Sequence, residues 1–205
     1  VNTRILAACR DLGLPAVGMS GVDANLIQAR RRPPVDIPGE AEDQVDYGFV
    51  GDIEGVASDT LRRQLDAGFL PVISPLSADA AGTLLNINAD TVAAALAAAL
   101  CAEKLIIATG APGILDDPED PASLVSYMDL AGLARMQSEG RLGAGMMPKA
   151  DAIRSAILGG VERVHVISHD LPDSLLLEVF TNEGTGTLVV KDTGSLSAAE
   201  QAGDD

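Results

Sequence analysis

Apolar runs bounded by turn residues recur along the chain at "LPAVGMS" (14–20), "LPVISPL" (70–76), "KLIIATG" (104–110), "RVHVIS" (163–168) and "GTLVV" (186–190). Runs of this length predict strands buried on both faces. Between them the apolar positions take helical spacing. "NTRILAACRDLG" closes on Gly13, "GVASDTLRRQLDAG" on Gly68, and "PKADAIRSAILGG" opens with Pro148 and ends in Gly159 and Gly160, the usual placing of Pro at a helix start and Gly past its end. Strands alternating with helices predict an α/β fold, a mainly parallel central sheet between helical layers. Residues 24–53 break the alternation: "NLIQARRRPP" and "VDYGFVGDI" flank a polar Pro- and Gly-containing loop and read as a hairpin excursion. Past Val190, "KDTGSLSAAEQAGDD" is polar and acidic, which predicts a disordered tail over 191–205.

Within "LLNINADTVAAALAAAL" (84–100), three short polar side chains at every second position run into an Ala-rich apolar helix. If 84–88 is extended, Asn86 and Asn88 share one face and Asp90 stands where the helix begins. Asp90 is then either the helix cap, with the asparagines lining a polar turn, or part of a cluster that binds a polar substrate.

Composition narrows the core. At 205 residues and 47% hydrophobic the chain fits one domain or two lobes, but aromatics are 2%, so packing must rest on Ala, Val, Leu, Ile and close glycine contacts. Cys9 and Cys101 are too few and too far apart for a disulfide framework and read as small core residues. No apolar run approaches the ~20 residues of a membrane span, and "VNTRILAACRDLG" lacks the pattern of a signal peptide, so a cytoplasmic location and no membrane partner are expected. A formal net charge of −16 argues against a nucleic-acid partner.

That acidity makes the positive positions informative. Lys104, Lys149 and Lys191 are the only lysines. Lys149 follows Pro148 at a helix start behind Gly143 and Gly145, so backbone donors, helix dipole and an ammonium converge. A cation at the positive end of a helix is locally unfavourable, which favours a phosphate there over a merely solvated lysine. Lys104 enters a buried-looking strand and Lys191 lies in the tail. "KLIIATGAPGILDD" is a strand followed by Gly110 and Gly113, equally a phosphate loop or a plain turn. His165 and His169 share a strand face but have no accompanying ligand set, so no protein metal site is expected.

Together, "AVGMSGVDANLI", "VDYGFVGDI", "LDAGFLPVISPL", "LLNINADTVAAALAAAL", "KLIIATGAPGIL", "GAGMMPKADAI" and "EVFTNEGTGTLVV" resemble the acetylglutamate kinase branch of the amino acid kinase family, from about residue 1 to 190. The resemblance implies the three-layer αβα sandwich of that family, with residues 1–102 in an acetylglutamate-binding lobe and 103–190 in a nucleotide-binding lobe. It implies transfer of the γ-phosphoryl of Mg-ATP to the side-chain carboxylate of N-acetyl-L-glutamate. Asn86 and Asn88 would hold the acceptor. Asp90 would organise the catalytic lysines, and Lys149 would neutralise the transferring group. Thr109, Gly110, Gly113, Gly143, Gly145 and Met146 would face the nucleotide. His165, Glu178 and Gly184 fall where arginine-sensitive members place a feedback pocket, so L-arginine is implied as inhibitor. Homo-oligomers are implied too, dimers or hexamers.

Two departures stand out. Gly110 occupies a position where many members carry a polar or acidic side chain. The family's first strand with its Lys and paired glycines, an "HGGG"-like loop, a substrate-binding Arg and an N-terminal helix have no counterpart here, so roughly the first third of the family's length is expected to be missing and activity with it. Two alternatives remain: a kinase for a related or carrier-bound acyl amino acid, and a non-catalytic arginine-binding remnant.

Overall fold

The computed structural model describes residues 1–35, 44–181 and 184–195. The chain divides into two compact units, Val1–Val92 and Ala93–Asp205, ahead of the boundary expected after residue 102. Most of the expected tail, 196–205, lies outside the described residues; before it, Thr193–Ser195 form one short 3-10 turn.

The first unit contains α1 (Asn2–Asp11), β1 (Ala16–Ser20), β2 (Ile27–Arg31), β3 (Gly51–Val56), α2 (Ser58–Asp66), β4 (Leu70–Ser74), β5 (Leu76–Ala78) and β6 (Leu84–Asn86). Strands β1 and β4 pair in parallel, and Asn2 fastens α1 to β4 by donating from Nδ2 to the Val72 carbonyl at 2.8 Å and to Ser74 Oγ at 3.0 Å. The other sheet has the order β3-β2-β5-β6. Its β2–β3 pair is the antiparallel hairpin expected for the excursion, with an irregularity between Gln28 and Ala29. Arginines dominate this hairpin without making a basic patch. Arg30 meets Glu54 at 3.6 Å, Arg31 meets Asp46 at 2.7 Å and Arg32 meets Asp52 at 2.7 Å. Exposed pairs of this kind contribute only about 0–1 kcal/mol each, but they neutralise the run "ARRR" locally.

The second unit is entered along α3 (Ala89–Leu100), followed by β7 (Lys104–Thr109), β8 (Tyr127–Asp129), α4 (Leu130–Ser138), α5 (Met147–Leu158), β9 (Arg163–Ser168), α6 (Ser174–Phe180) and β10 (Thr187–Val190). The sheet order is β7-β9-β10-β8. Parallel pairing joins β7 to β9 and β8 to β10, while β10 runs antiparallel to β9. Helices α4 and α6 and strand β8 have no counterpart in the apolar pattern. Helix α4 starts where the Asp129 carboxylate accepts from the Gly132 amide at 2.7 Å, a cap that offsets the weak helix propensity of an internal glycine.

Small side chains set the core. Ile107, Ile114, Leu133, Ile153, Val164, Val166 and Val189 are interleaved with Ala94, Ala97, Ala150, Ala152 and Ala156. The two glycines after α5 act differently. Gly160 takes the left-handed turn at φ +102°, whereas a Cβ on Gly159 would come within 2.7 Å of the Ala98 Cβ, so Gly159 is required by proximity. Two expectations fail here. Cys9 is buried but Cys101 is exposed, at φ +54° in the turn after α3. Lys104 is also exposed, because it stands at the open first position of β7.

The tightest approach is at the start of β10, where a Cβ on Gly186 would stand 2.1 Å from the Val166 carbonyl oxygen. Backbone cannot yield as a side chain does, so Gly186→Ala should lower stability by about 1–3 kcal/mol, read as a lower urea midpoint at unchanged slope.

Candidate functional site

Three groups of candidate residues emerge. In the first unit, Leu85 and Ile87 are buried at 0% and 3% exposure, while Asn86 and Asn88 are exposed. This is the period-2 alternation read from the sequence, and it puts both asparagines on the open face. Strand β6 stops at Asn86, whose amide donates to the Phe49 carbonyl at 2.8 Å. Asn88 then caps α3: its Oδ1 accepts from the amides of Asp90 at 2.9 Å and Thr91 at 3.1 Å. The cap is therefore Asn88. Asp90 falls within the first helical turn, where a carboxylate also favours the helix dipole.

The second group surrounds a cleft of ≈250 Å³ at the carboxyl end of β7, the end at which open α/β sheets bind ligands. Thr109, Gly113, Gly143, Gly145 and Met146 line it, all expected, together with Ile114, Leu142 and Arg141. Gly110 is absent from the lining; its nearest side-chain neighbour is the His169 imidazole, 3.7 Å from where a Cβ would be. Its neighbours Thr109 and Ala111 both line the cleft. Lys149 sits in the first turn of α5, half-buried, on a helix whose start carries Pro148 and no side-chain cap. Arg141 was missed. It pairs with Asp116 and reaches Glu139 at 3.4 Å, so the cleft wall holds a cation already balanced by acid. Its only sequence signal was its place two residues before Gly143.

The third group is buried. His165 and Glu178 are 6% and 9% exposed, and His165 Nδ1 lies 2.7 Å from Glu178 Oε1. Glu178 Oε2 accepts from the amides of Thr185 at 2.7 Å and Gly186 at 3.0 Å. Gly184, at φ +59°, turns the backbone so closely past the carboxylate that a Cβ would stand 3.3 Å from Oε2. Burial pushes the Glu178 carboxyl up, but the His165 hydrogen bond, the Thr185 amide, the charge of His165 and the Gly186 amide together hold it below the ordinary value of 4.5. An ionised carboxylate only accepts, so Nδ1 carries the proton. The opposite nitrogen, Nε2, is buried with no hydrogen-bond partner among the described residues. Among those residues there is also no group of three or more His, Cys, Asp or Glu able to hold a metal, and no helix long and apolar enough to cross a membrane.

Fold and cleft together are those of an α/β protein with a ligand-sized site at the carboxyl end of a parallel strand. The chain belongs to the amino acid kinase family, whose model matches residues 1–168. It is 51% identical over 201 residues to the acetylglutamate kinase of Myxococcus xanthus, which covers 97% of this chain and 65% of that protein. The chain thus spans about two-thirds of that relative's length. Among solved structures it is similar to the N-acetylglutamate synthase of Neisseria gonorrhoeae in complex with coenzyme A and N-acetyl-glutamate, at TM-score 0.77 and 28% identity over 93% of this chain and 41% of that one. The same synthase complexed with coenzyme A and L-arginine matches at TM-score 0.69 and 27% identity, over 87% and 38%. The α/β architecture is the amino acid kinase fold.

Glu178 generates a pH prediction. Its folded-state pKa is depressed, so its contribution to stability is complete above 4.5 and is lost as pH falls through the folded-state value below that. The gap in urea midpoint between the unaltered chain and Glu178→Gln should be flat from pH 7 to 5 and shrink below 4.5; a gap that stays constant to pH 3 contradicts the assignment.

Proposed function

We propose that the protein phosphorylates the side-chain carboxylate of N-acetyl-L-glutamate with Mg-ATP, yielding N-acetyl-L-glutamyl 5-phosphate in arginine biosynthesis. The observation that carries this is the glycine-lined cleft at the end of β7, beside an uncapped helix start bearing Lys149. The 51% identity to an acetylglutamate kinase supports the choice of substrate.

In this reading the adenosine enters the largely apolar cleft bounded by Gly113, Ile114, Leu142 and Met146. The phosphates meet the start of α5, where amides and dipole favour anions. Magnesium comes with the nucleotide, carried on phosphate oxygens. Asn86 and Asn88 hold the acceptor from their exposed positions at the end of β6 and at the cap of α3. With its Oδ1 committed to the cap, Asn88 offers the Nδ2 donor, which suits an acceptor rich in carbonyl and carboxylate oxygens. Asp90 has an organising role, and Lys149 neutralises the charge that builds on the transferring group. The acceptor carboxylate is itself the nucleophile, so no protein nucleophile is needed. In a form of the protein that also carries the family's first third, trapping the acyl phosphate with hydroxylamine should give hydroxamate from N-acetyl-L-glutamate and not from free glutamate or aspartate. Lys149→Ala should lower kcat roughly 10²- to 10³-fold with a smaller change in KM for the acceptor. Equal turnover of all three acceptors would show that the acetyl group is not read and would overturn the choice of substrate.

A second reading has its own support. Buried His165 and Glu178 and part-buried Gly184 form one cluster whose imidazole Nε2 has no partner among the described residues, and a structural relative is known in complex with L-arginine. We infer that this cluster serves L-arginine as a feedback effector, with the guanidinium or α-amino group approaching the carboxylate side. Millimolar L-arginine should raise the thermal midpoint of the unaltered protein and leave that of Glu178→Gln unmoved; no shift in either removes the effector reading.

A further inference from the structure

The wall of the cleft is not held by its own loop alone. After β7 the chain passes Gly113 and Ile114 and lies directly on the start of β10, where a Cβ on Gly113 would be 2.7 Å from Thr187 Oγ1 and 3.1 Å from the Thr187 amide nitrogen. Ile114 and Thr187 are both completely buried. The Ile114 amide donates to Thr187 Oγ1 at 2.8 Å, across 73 positions of sequence, and the Ile114 carbonyl accepts from the Val125 amide at 2.9 Å. Gly113 and Ile114 both line the cleft. The peptide that shapes its floor is therefore pinned on one side by a side-chain hydroxyl and on the other by backbone.

We propose that Thr187 is a positioning residue for nucleotide binding, its hydroxyl fixing the Gly113–Ile114 peptide at the depth the nucleotide requires. The inference rests on the nucleotide role proposed above for the cleft. No water can replace the hydroxyl at 0% exposure, and a buried amide that loses its acceptor must move to find another. Any such movement displaces a peptide that lines the cleft. Gly113 makes the arrangement possible, because any side chain there would separate the loop from the hydroxyl. The far end of the same segment is gripped independently, since Glu178 Oε2 accepts from Thr185 and Gly186. Thr187 therefore stands on a backbone fixed before the loop meets it.

The test titrates this chain with fluorescent mant-ATP and magnesium, as the unaltered form, Thr187→Val and Thr187→Ser, with amide hydrogen exchange at Ile114 followed in parallel. Valine keeps the shape and removes the acceptor; serine keeps the acceptor. Thr187→Val should bind mant-ATP roughly three- to tenfold more weakly and exchange the Ile114 amide faster, while Thr187→Ser stays within about twofold of the unaltered chain. Unaltered binding by Thr187→Val, with the parent chain binding, overturns the role of Thr187 and leaves the nucleotide reading intact. Equal weakening by valine and serine also overturns it, since a variant that keeps the hydroxyl would then fail as badly as one that lacks it. No binding of mant-ATP by the unaltered chain overturns the nucleotide reading and the Thr187 role with it. If Thr187→Val proves too unstable to titrate, Thr187→Ala takes its place as the variant without an acceptor, and mant-ATP binding unchanged by it overturns the proposal.

Discussion

The approach of β10 to its neighbours is the constraint on which the second unit depends. Its first residues run against the Val166 carbonyl so closely that position 186 admits no side chain, and one residue later Thr187 takes up the amide of the loop that follows β7. Strand β10, antiparallel to β9 and parallel to β8, thus joins the two parallel pairs of the sheet, a buried carboxylate and a cleft wall. A core with 2% aromatic residues has no large rings to fill gaps, so its density comes from backbone approach at Gly113, Gly159 and Gly186 and from alanines on α3 and α5.

The polar groups buried in this unit are few and almost all satisfied, as low dielectric demands. Thr187 holds an amide, Ser174 Oγ donates to the Ser168 carbonyl at 2.7 Å, and Glu178 takes an imidazole and two backbone amides. His165 Nε2 is the exception among the described residues. An ionised carboxylate is tolerated at 9% exposure because donors surround it. The same donors define the loop that carries Gly184, so the cluster serves the fold even before any effector is considered.

Charge is arranged rather than merely abundant. A net −16 would repel any polyanion, yet the proposed chemistry needs a triphosphate. The hairpin arginines are neutralised by Glu54, Asp46 and Asp52, and Arg141 by Asp116. In the proposed reading, attraction for phosphate acts at short range from the start of α5 and Lys149, where field and geometry act together.

What the sequence determined is what short windows encode. Strand runs, helix ends at Gly13, Gly68 and Gly160, the hairpin excursion, the alternation of Leu85 and Ile87 with Asn86 and Asn88, and five of the cleft's glycine-rich or neighbouring residues follow from periodicity, dihedral preference and resemblance. Capping of α3 by Asn88 rather than Asp90 turned on a two-residue shift in where β6 ends, a boundary that local pattern places poorly. The exposure of Cys101, the place of the His169 ring beside Gly110, the pairing of Arg141 with Asp116 across 25 positions and of Ile114 with Thr187 across 73 were decided only by tertiary structure. Each depends on which backbone segments lie side by side, and register between distant segments is set by packing of the whole unit, which no single window of sequence contains.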